Sequence, residues 1–174
     1  DWIRRALTHH GYIVRHVKNI TDVGHMRQEM LEQGEDKVIA AAIAEGKTPK
    51  EISQEYTELF FQDERNLNIL PAEKFPRATD HISEMITLTQ RLMEQSHAYE
   101  VQGNVYFDVS SFPQYGQLSG NPGTKLQDGS RVQVDPLKQD PRDFTLWKSA
   151  EPGRLLKWDS PWGAGFPGWH IECS

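Results

Sequence analysis

His170 and Cys173 stand three positions apart in Gly168-Trp169-His170-Ile171-Glu172-Cys173-Ser174. An imidazole and a thiol at that spacing share a face of one helical turn. If Gly168 opens a helix, both lie near its first turn, where backbone amides favour an anion and bias a thiol towards thiolate chemistry or zinc binding. Two ligands are too few for zinc, which takes four in a structural site and three plus an open position in a catalytic one. Cysteine also serves as a small core hydrophobe, so the spacing leaves both roles open. Cys173 is the single cysteine, which excludes an internal disulfide and a four-thiolate zinc site.

The other chemistry-bearing residues are less specific. His25, shortly after Asp22, suits a base, a phosphate contact or a solvated loop. His9, His10 and His16 lie beside Arg4, Arg5, Arg15 and Lys18, and residues 1–20 carry 4 Lys and Arg against 1 acid. That excess suits an RNA backbone, and one amphipathic element accounts for it equally well. No GxxxxGK[ST] phosphate loop or GxSxG elbow occurs, and nothing marks a Ser-His-Asp triad.

The elements that must position these residues follow from periodicity. Residues 2–10 read as a helix ended by Gly11. Residues 12–17 alternate as a strand and lead into Asn19-Ile20-Thr21-Asp22. In α/β folds, the loop at a strand's carboxyl end is where ligands sit. No firm period runs from Asp22 to Gly34. Residues 35–45 read as a helix stopped by Gly46. Thr48-Pro49-Lys50-Glu51 is a capping box with proline at the first helical position, opening a helix to about Leu67. Its expected stripe is Ile52, Tyr56, Leu59, Phe60 and Asp63; Glu51, Glu55, Glu58 and Glu64 form a solvated outer face.

Thr79 is expected to cap a helix burying Ile82, Met85, Ile86, Thr89, Leu92 and Met93. Residues 98–101 and 104–109 flank Gln102-Gly103 as a hairpin. A polar, Gly-rich stretch runs to Pro136, and 143–148 reads as another strand. Residues 152–168 make a rigid loop, because Trp158, Trp162 and Trp169 have surface to bury. The elements amount to an α/β domain with an inserted β-rich segment.

Three stretches resemble the cysteinyl-tRNA synthetases, a family of class I aminoacyl-tRNA synthetases. They are residues 11–22, ending Val17-Lys18-Asn19-Ile20-Thr21-Asp22; Phe75-Pro76-Arg77-Ala78-Thr79-Asp80-His81-Ile82; and residues 143–148 continuing through Trp158-Asp159-Ser160-Pro161-Trp162-Gly163 to Ser174. The last is specific to this family and its close relative, the cysteine–glucosaminyl-inositol ligase of mycothiol synthesis. The resemblance runs along essentially the whole chain.

It implies a Rossmann-like class I catalytic domain, with 1–100 as part of that domain, 101–160 as a connective insertion and 161–174 as the return. It implies activation of cysteine with ATP and Mg2+, then transfer to tRNA(Cys). A zinc ion binds the substrate thiol in this family. Zinc prefers thiolate to hydroxyl, which separates cysteine from serine where shape alone separates them poorly. Cys173 matches the family's zinc-ligand cysteine, Trp169 a tryptophan of the cysteine pocket, and Thr21 a threonine near the substrate. No ligand role passes to His170, and no catalytic residue is assigned.

The resemblance places the HIGH motif and another zinc cysteine before Asp1, and a zinc histidine, a glutamate and the KMSKS loop after Ser174. Val23-Gly24-His25-Met26 stands where many members carry Asp-Asp-Lys, and Phe166 where an arginine is usual. A segment of a longer reading frame is therefore expected, with one zinc ligand of four, no tight zinc binding and no cysteine activation on its own. Marginal stability or self-association is expected too, because a Rossmann-like sheet lacking a central strand exposes edges and apolar surface. The mycothiol-pathway ligase and a non-catalytic synthetase-like binding module are the alternative readings.

The bulk properties fit these readings. The chain has 174 residues, 25% charged and 37% hydrophobic, with a formal net charge of −6. That is enough for one core, and the acidic balance argues against nonspecific coating of nucleic acid. No apolar run reaches the ~18 residues of a membrane span, and the start lacks a signal-peptide pattern. A cytoplasmic location is expected.

Overall fold

Helix α1 (Trp2–His9) ends as its sequence dictates, with Gly11 following at a φ of +85°. Both of its arginines are partnered. Arg4 donates to the Pro71 carbonyl at 2.6 Å and to Glu73 at 2.8 Å, and Arg5 donates to Asp1 at 2.6 Å. Lys18 pairs with Glu64. Most of the basic excess of residues 1–20 is thus taken up by intramolecular partners. The computed structural model describes residues 1–23, 26–28, 33–118, 120 and 135–174. His25 and most of the polar stretch before Pro136 lie outside the described residues.

Parallel backbone pairing begins later than the alternation of residues 12–17 predicts. Lys18 N donates to the Lys74 carbonyl at 3.1 Å, Ile20 N to Pro76 at 2.8 Å, and Ala78 N returns to Ile20 at 3.0 Å. Bridges join Val17 to Lys74 and Ile20 to Arg77. Tyr12 and Ile13 have no paired strand beside them among the described residues, and Ile13 is 95% exposed. A strand needs a partner for its amides, and here the partner runs only along 73–78. Two of the three signature stretches are therefore zipped together, with their carboxyl ends side by side.

Strands β1 (Met26–Gln28) and β2 (Gln33–Asp36) pair antiparallel, and β2 takes the first two residues of the helix expected over 35–45. Helix α2 (Lys37–Glu45) ends before Gly46. Helix α3 (Pro49–Asn66) has the expected capping box: Glu51 N donates to Thr48 Oγ1 at 3.2 Å, and Thr48 N to the Glu51 carboxylate at 2.8 Å. Its stripe differs from expectation. Ile52, Thr57 and Glu64 are buried, whereas Tyr56, Leu59 and Phe60 are exposed. Glu64 turns inward because Lys18 neutralises it, and Thr57 is tolerated because its hydroxyl donates to the Ser53 carbonyl. Glu64 thus leaves the solvated face assigned to it.

Thr79 does not cap the next helix. It lies in a 3-10 turn (Ala78–His81), and helix α4 (Ile82–Glu94) starts afterwards. Ile82, Met85 and Thr89 are buried, with Ile86, Leu92 and Met93 packed at the core margin. The hairpin forms about the expected turn, with its second strand ending at Phe107 because Val109 enters a 3-10 turn: β3 (Ala98–Val101) and β4 (Asn104–Phe107) join through Gln102 and Gly103, at φ +54° and +79°. Positive φ at both turn positions matches the twist of the flanking strands.

Strands β5 (Phe144–Ser149) and β6 (Gly165–Pro167) complete an antiparallel sheet ordered β3-β4-β5-β6. Buried Asp143 anchors its end by accepting from Tyr99 Oη at 2.7 Å, Val109 N at 3.0 Å and Asp140 N at 3.1 Å. The core joins Val23, Ala78, Ile82 and Met85 to Val105, Leu146, Trp147 and Ile171. Trp158 and Trp162 pack against it, but Trp169 stays 52% exposed.

Candidate functional site

Asp22 is the fixed point of the site. Its carboxylate accepts from Thr79 N at 2.9 Å and Thr79 Oγ1 at 2.7 Å, with Arg77 Nη1 at 3.7 Å. The side chain is buried, so the bonds and the guanidinium offset its desolvation. This clamp holds the Asn19–Asp22 loop against the 3-10 turn that leads into α4.

The third wall comes from the far end of the chain. Helix α5 (Trp169–Glu172) is one turn long, and Cys173 follows its last residue. The thiol therefore does not sit among the helix's N-terminal amides, as the His170/Cys173 spacing suggests. Glycines set this turn against the sheet. A β-carbon on Gly168 would meet the Thr145 carbonyl oxygen at 2.1 Å, and one on Gly165 would meet Trp147 Nε1 at 2.3 Å. Gly163, Gly165 and Gly168 have GxGxxG spacing, but Gly165 and Gly168 serve the close approach to β5. Phe166 receives the Arg154 guanidinium 3.6 Å from its ring centroid.

These walls border a cleft of about 410 Å³, whose lining includes the polar Asn19, Arg77, His81, Glu84, Cys173 and Ser174 and the apolar Val17, Met85, Leu88 and Ile171. Cys173 is exposed. Asn19 Nδ2 lies 3.6 Å from Cys173 Sγ and 2.9 Å from Thr21 Oγ1. Thr21 faces a neighbouring groove of about 470 Å³ with Lys37, Ile52, Tyr56 and Phe60, and Asn19 borders both spaces. Glu84 accepts from Ser83 Oγ at 2.8 Å, which holds its carboxyl below the ordinary glutamate range.

Of the residues singled out in the sequence, Thr21 and Cys173 come together through Asn19. Trp169 and His170 do not line the cleft; the His170 ring packs on Phe144 at 4.3 Å, and Trp169 lies beyond it at 6.5 Å. Asn19, Arg77, His81 and Glu84 carry no individual signal in the sequence. The first three stood within the stretches that carry the resemblance.

Zinc is the metal the resemblance implies. Cys173 offers one soft donor, and among the described residues no three His, Cys, Asp or Glu side chains come together to hold an ion. That falls short of the three or four protein ligands zinc takes. The described residues do not build a zinc site by themselves.

The family model for the catalytic domain of class I (C) tRNA synthetases matches residues 1–174. The chain belongs to that family. It is similar to the cysteine–tRNA ligase of Deinococcus radiodurans, at 55% identity over all of this chain and 35% of the relative. It is 51% identical to a cysteine–tRNA ligase of Thermus thermophilus, over all of this chain and 36% of the relative. It is 50% identical to that of Chlorobaculum tepidum, over 99% of this chain and 36% of the relative. The chain spans about a third of the length of the curated relatives it matches.

Proposed function

We propose that the chain forms part of the catalytic domain of a cysteine–tRNA ligase, which activates cysteine with ATP and Mg2+ to cysteinyl-adenylate and transfers it to tRNA(Cys). The observation that carries this reading is the match along the whole chain to proteins named for that reaction. The meeting of Thr21 and Cys173 around Asn19 supports it.

In this reading Cys173 is one zinc ligand and Thr21 contacts the substrate, while Trp169, which does not line the cleft formed by the described residues, matches a tryptophan of the cysteine pocket. Zinc held in part by Cys173 would supply a soft Lewis acid that prefers a thiolate to a hydroxyl. The chain's own residues bind and orient. The Asp22–Thr79 clamp fixes the loop bearing Thr21, and the glycine-seated α5 fixes Cys173. The division into 1–100, 101–160 and 161–174, the cytoplasmic location and self-association of the isolated chain belong to the same proposal. No helix among the described residues is long and apolar enough to cross a membrane.

A polypeptide of the relatives' length carrying these residues tests the reading. The expected result is ATP–pyrophosphate exchange with cysteine and not with serine, charging of tRNA(Cys), and loss of both in Cys173→Ala. The 174-residue chain alone is expected to give no exchange. Equal exchange with serine, or none with cysteine, contradicts the reading.

A further inference from the structure

We propose that Asn19 is a positioning residue that sets Thr21 and Cys173 relative to one another, so that one carboxamide links two parts of the cysteine site. This rests on the cysteine-activating reading above. A carboxamide nitrogen carries two hydrogens. The geometry directs one to Thr21 Oγ1 at 2.9 Å and the other to Cys173 Sγ at 3.6 Å, within reach of a sulfur acceptor. The origin of the side chain is fixed from both sides, because Lys18 N and Ile20 N each donate to the 74–76 backbone.

A fold-holding role does not account for these contacts. Asn19 is exposed, and an exposed hydrogen bond contributes little net stability because water competes for both partners. The fold at this point is already held by the parallel backbone ladder and the Asp22–Thr79 clamp. What Asn19 adds is a cross-link between the 19–22 loop and the end of α5, two segments 154 residues apart, at the border of the two open spaces. The residue type matters. Aspartate accepts a hydrogen from the Thr21 hydroxyl but places negative charge against the sulfur, and alanine removes both links.

The test uses the relatives'-length polypeptide with Asn19→Ala and Asn19→Asp. The readouts are cysteine binding by calorimetry, separate KM values for cysteine and ATP in pyrophosphate exchange, and the urea midpoint. The expected result for Asn19→Ala is weaker cysteine binding and a higher cysteine KM, by roughly fivefold or more, the scale of one lost hydrogen bond. ATP KM and the urea midpoint stay unchanged. Asn19→Asp weakens cysteine binding further. An unchanged cysteine affinity in Asn19→Ala, or cysteine binding in Asn19→Asp as tight as in the parent, overturns the proposal. A parallel rise in both KM values with a lowered urea midpoint assigns Asn19 to folding and also overturns it. Absence of cysteine-dependent exchange in the unsubstituted control instead removes the cysteine-activating reading, and the proposal with it.

Discussion

Asn19 and Cys173 are separated by 154 residues, yet the carboxamide nitrogen of one lies 3.6 Å from the sulfur of the other. The approach depends on two distant pieces of local chemistry. One is a parallel ladder that seats residues 18–20 against 74–78. The other is a pair of glycines that let the strand before α5 close onto β5. Disturbing either is expected to move the cleft.

Asp22→Ala removes the buried acceptor of both Thr79 donors and the partner of Arg77. A buried donor left unsatisfied costs about 1–3 kcal/mol. The expected loss of unfolding free energy in urea is about 2–4 kcal/mol. Asp22→Asn keeps one acceptor oxygen and is expected to lose less.

Gly168→Ala drives a methyl group into the Thr145 carbonyl, where the neighbour is backbone and cannot rotate away. Overpacking of this kind costs about 1–3 kcal/mol and sometimes more. The expected signatures are a lower urea midpoint and faster alkylation of Cys173, the sole cysteine, as α5 loosens from the sheet. An unchanged midpoint contradicts the close-approach explanation.

Arg154 lies over the Phe166 ring and donates from Nε to the Leu156 carbonyl at 3.0 Å. Its side chain is 5% exposed. Arg154→Ala loses a desolvated cation–π contact and the packing of the stem, with an expected cost of about 1–3 kcal/mol. Arg154→Lys is expected to recover part of it, since an ammonium keeps the charge but not the planar stacking.

Glu73 accepts from His16 N at 2.5 Å and from Arg4 at 2.8 Å. The amide of His16 is the main cause that holds its carboxyl below the ordinary value of 4.5. A folded value below the unfolded one gives stability that is fully present above pH 4.5 and lost as pH falls through the folded value. The unfolding temperature of the chain is expected to fall with acid in that window. Glu73→Gln is expected to flatten that part of the fall, as measured by thermal scans between about pH 3 and 6.

Local signals were legible wherever one residue decides the local backbone. The Thr48–Glu51 box, the Gln102-Gly103 turn and the Gly11 and Gly46 stops needed no tertiary information. The α3 face was not legible: Glu64 is buried because of Lys18, far away in sequence. Thr79 looked like a cap because hydroxyl residues often are, but Asp22 had already engaged it. Strand β6 was hidden in a Gly-Pro-Trp loop, since its glycines fit only against a Trp147 and a Thr145 already in place. At the site, residue type pointed to Cys173, and Thr21 came from the family resemblance alone. The residue joining them emerged only from their juxtaposition.

The most direct measurement is a crystal structure of the relatives'-length polypeptide with a sulfamoyl analogue of cysteinyl-adenylate. The account predicts the analogue's sulfur in the cleft beside Cys173, with the Asn19–Thr21 loop against the cysteinyl moiety. An analogue bound with its sulfur away from Cys173 and Thr21 contradicts it.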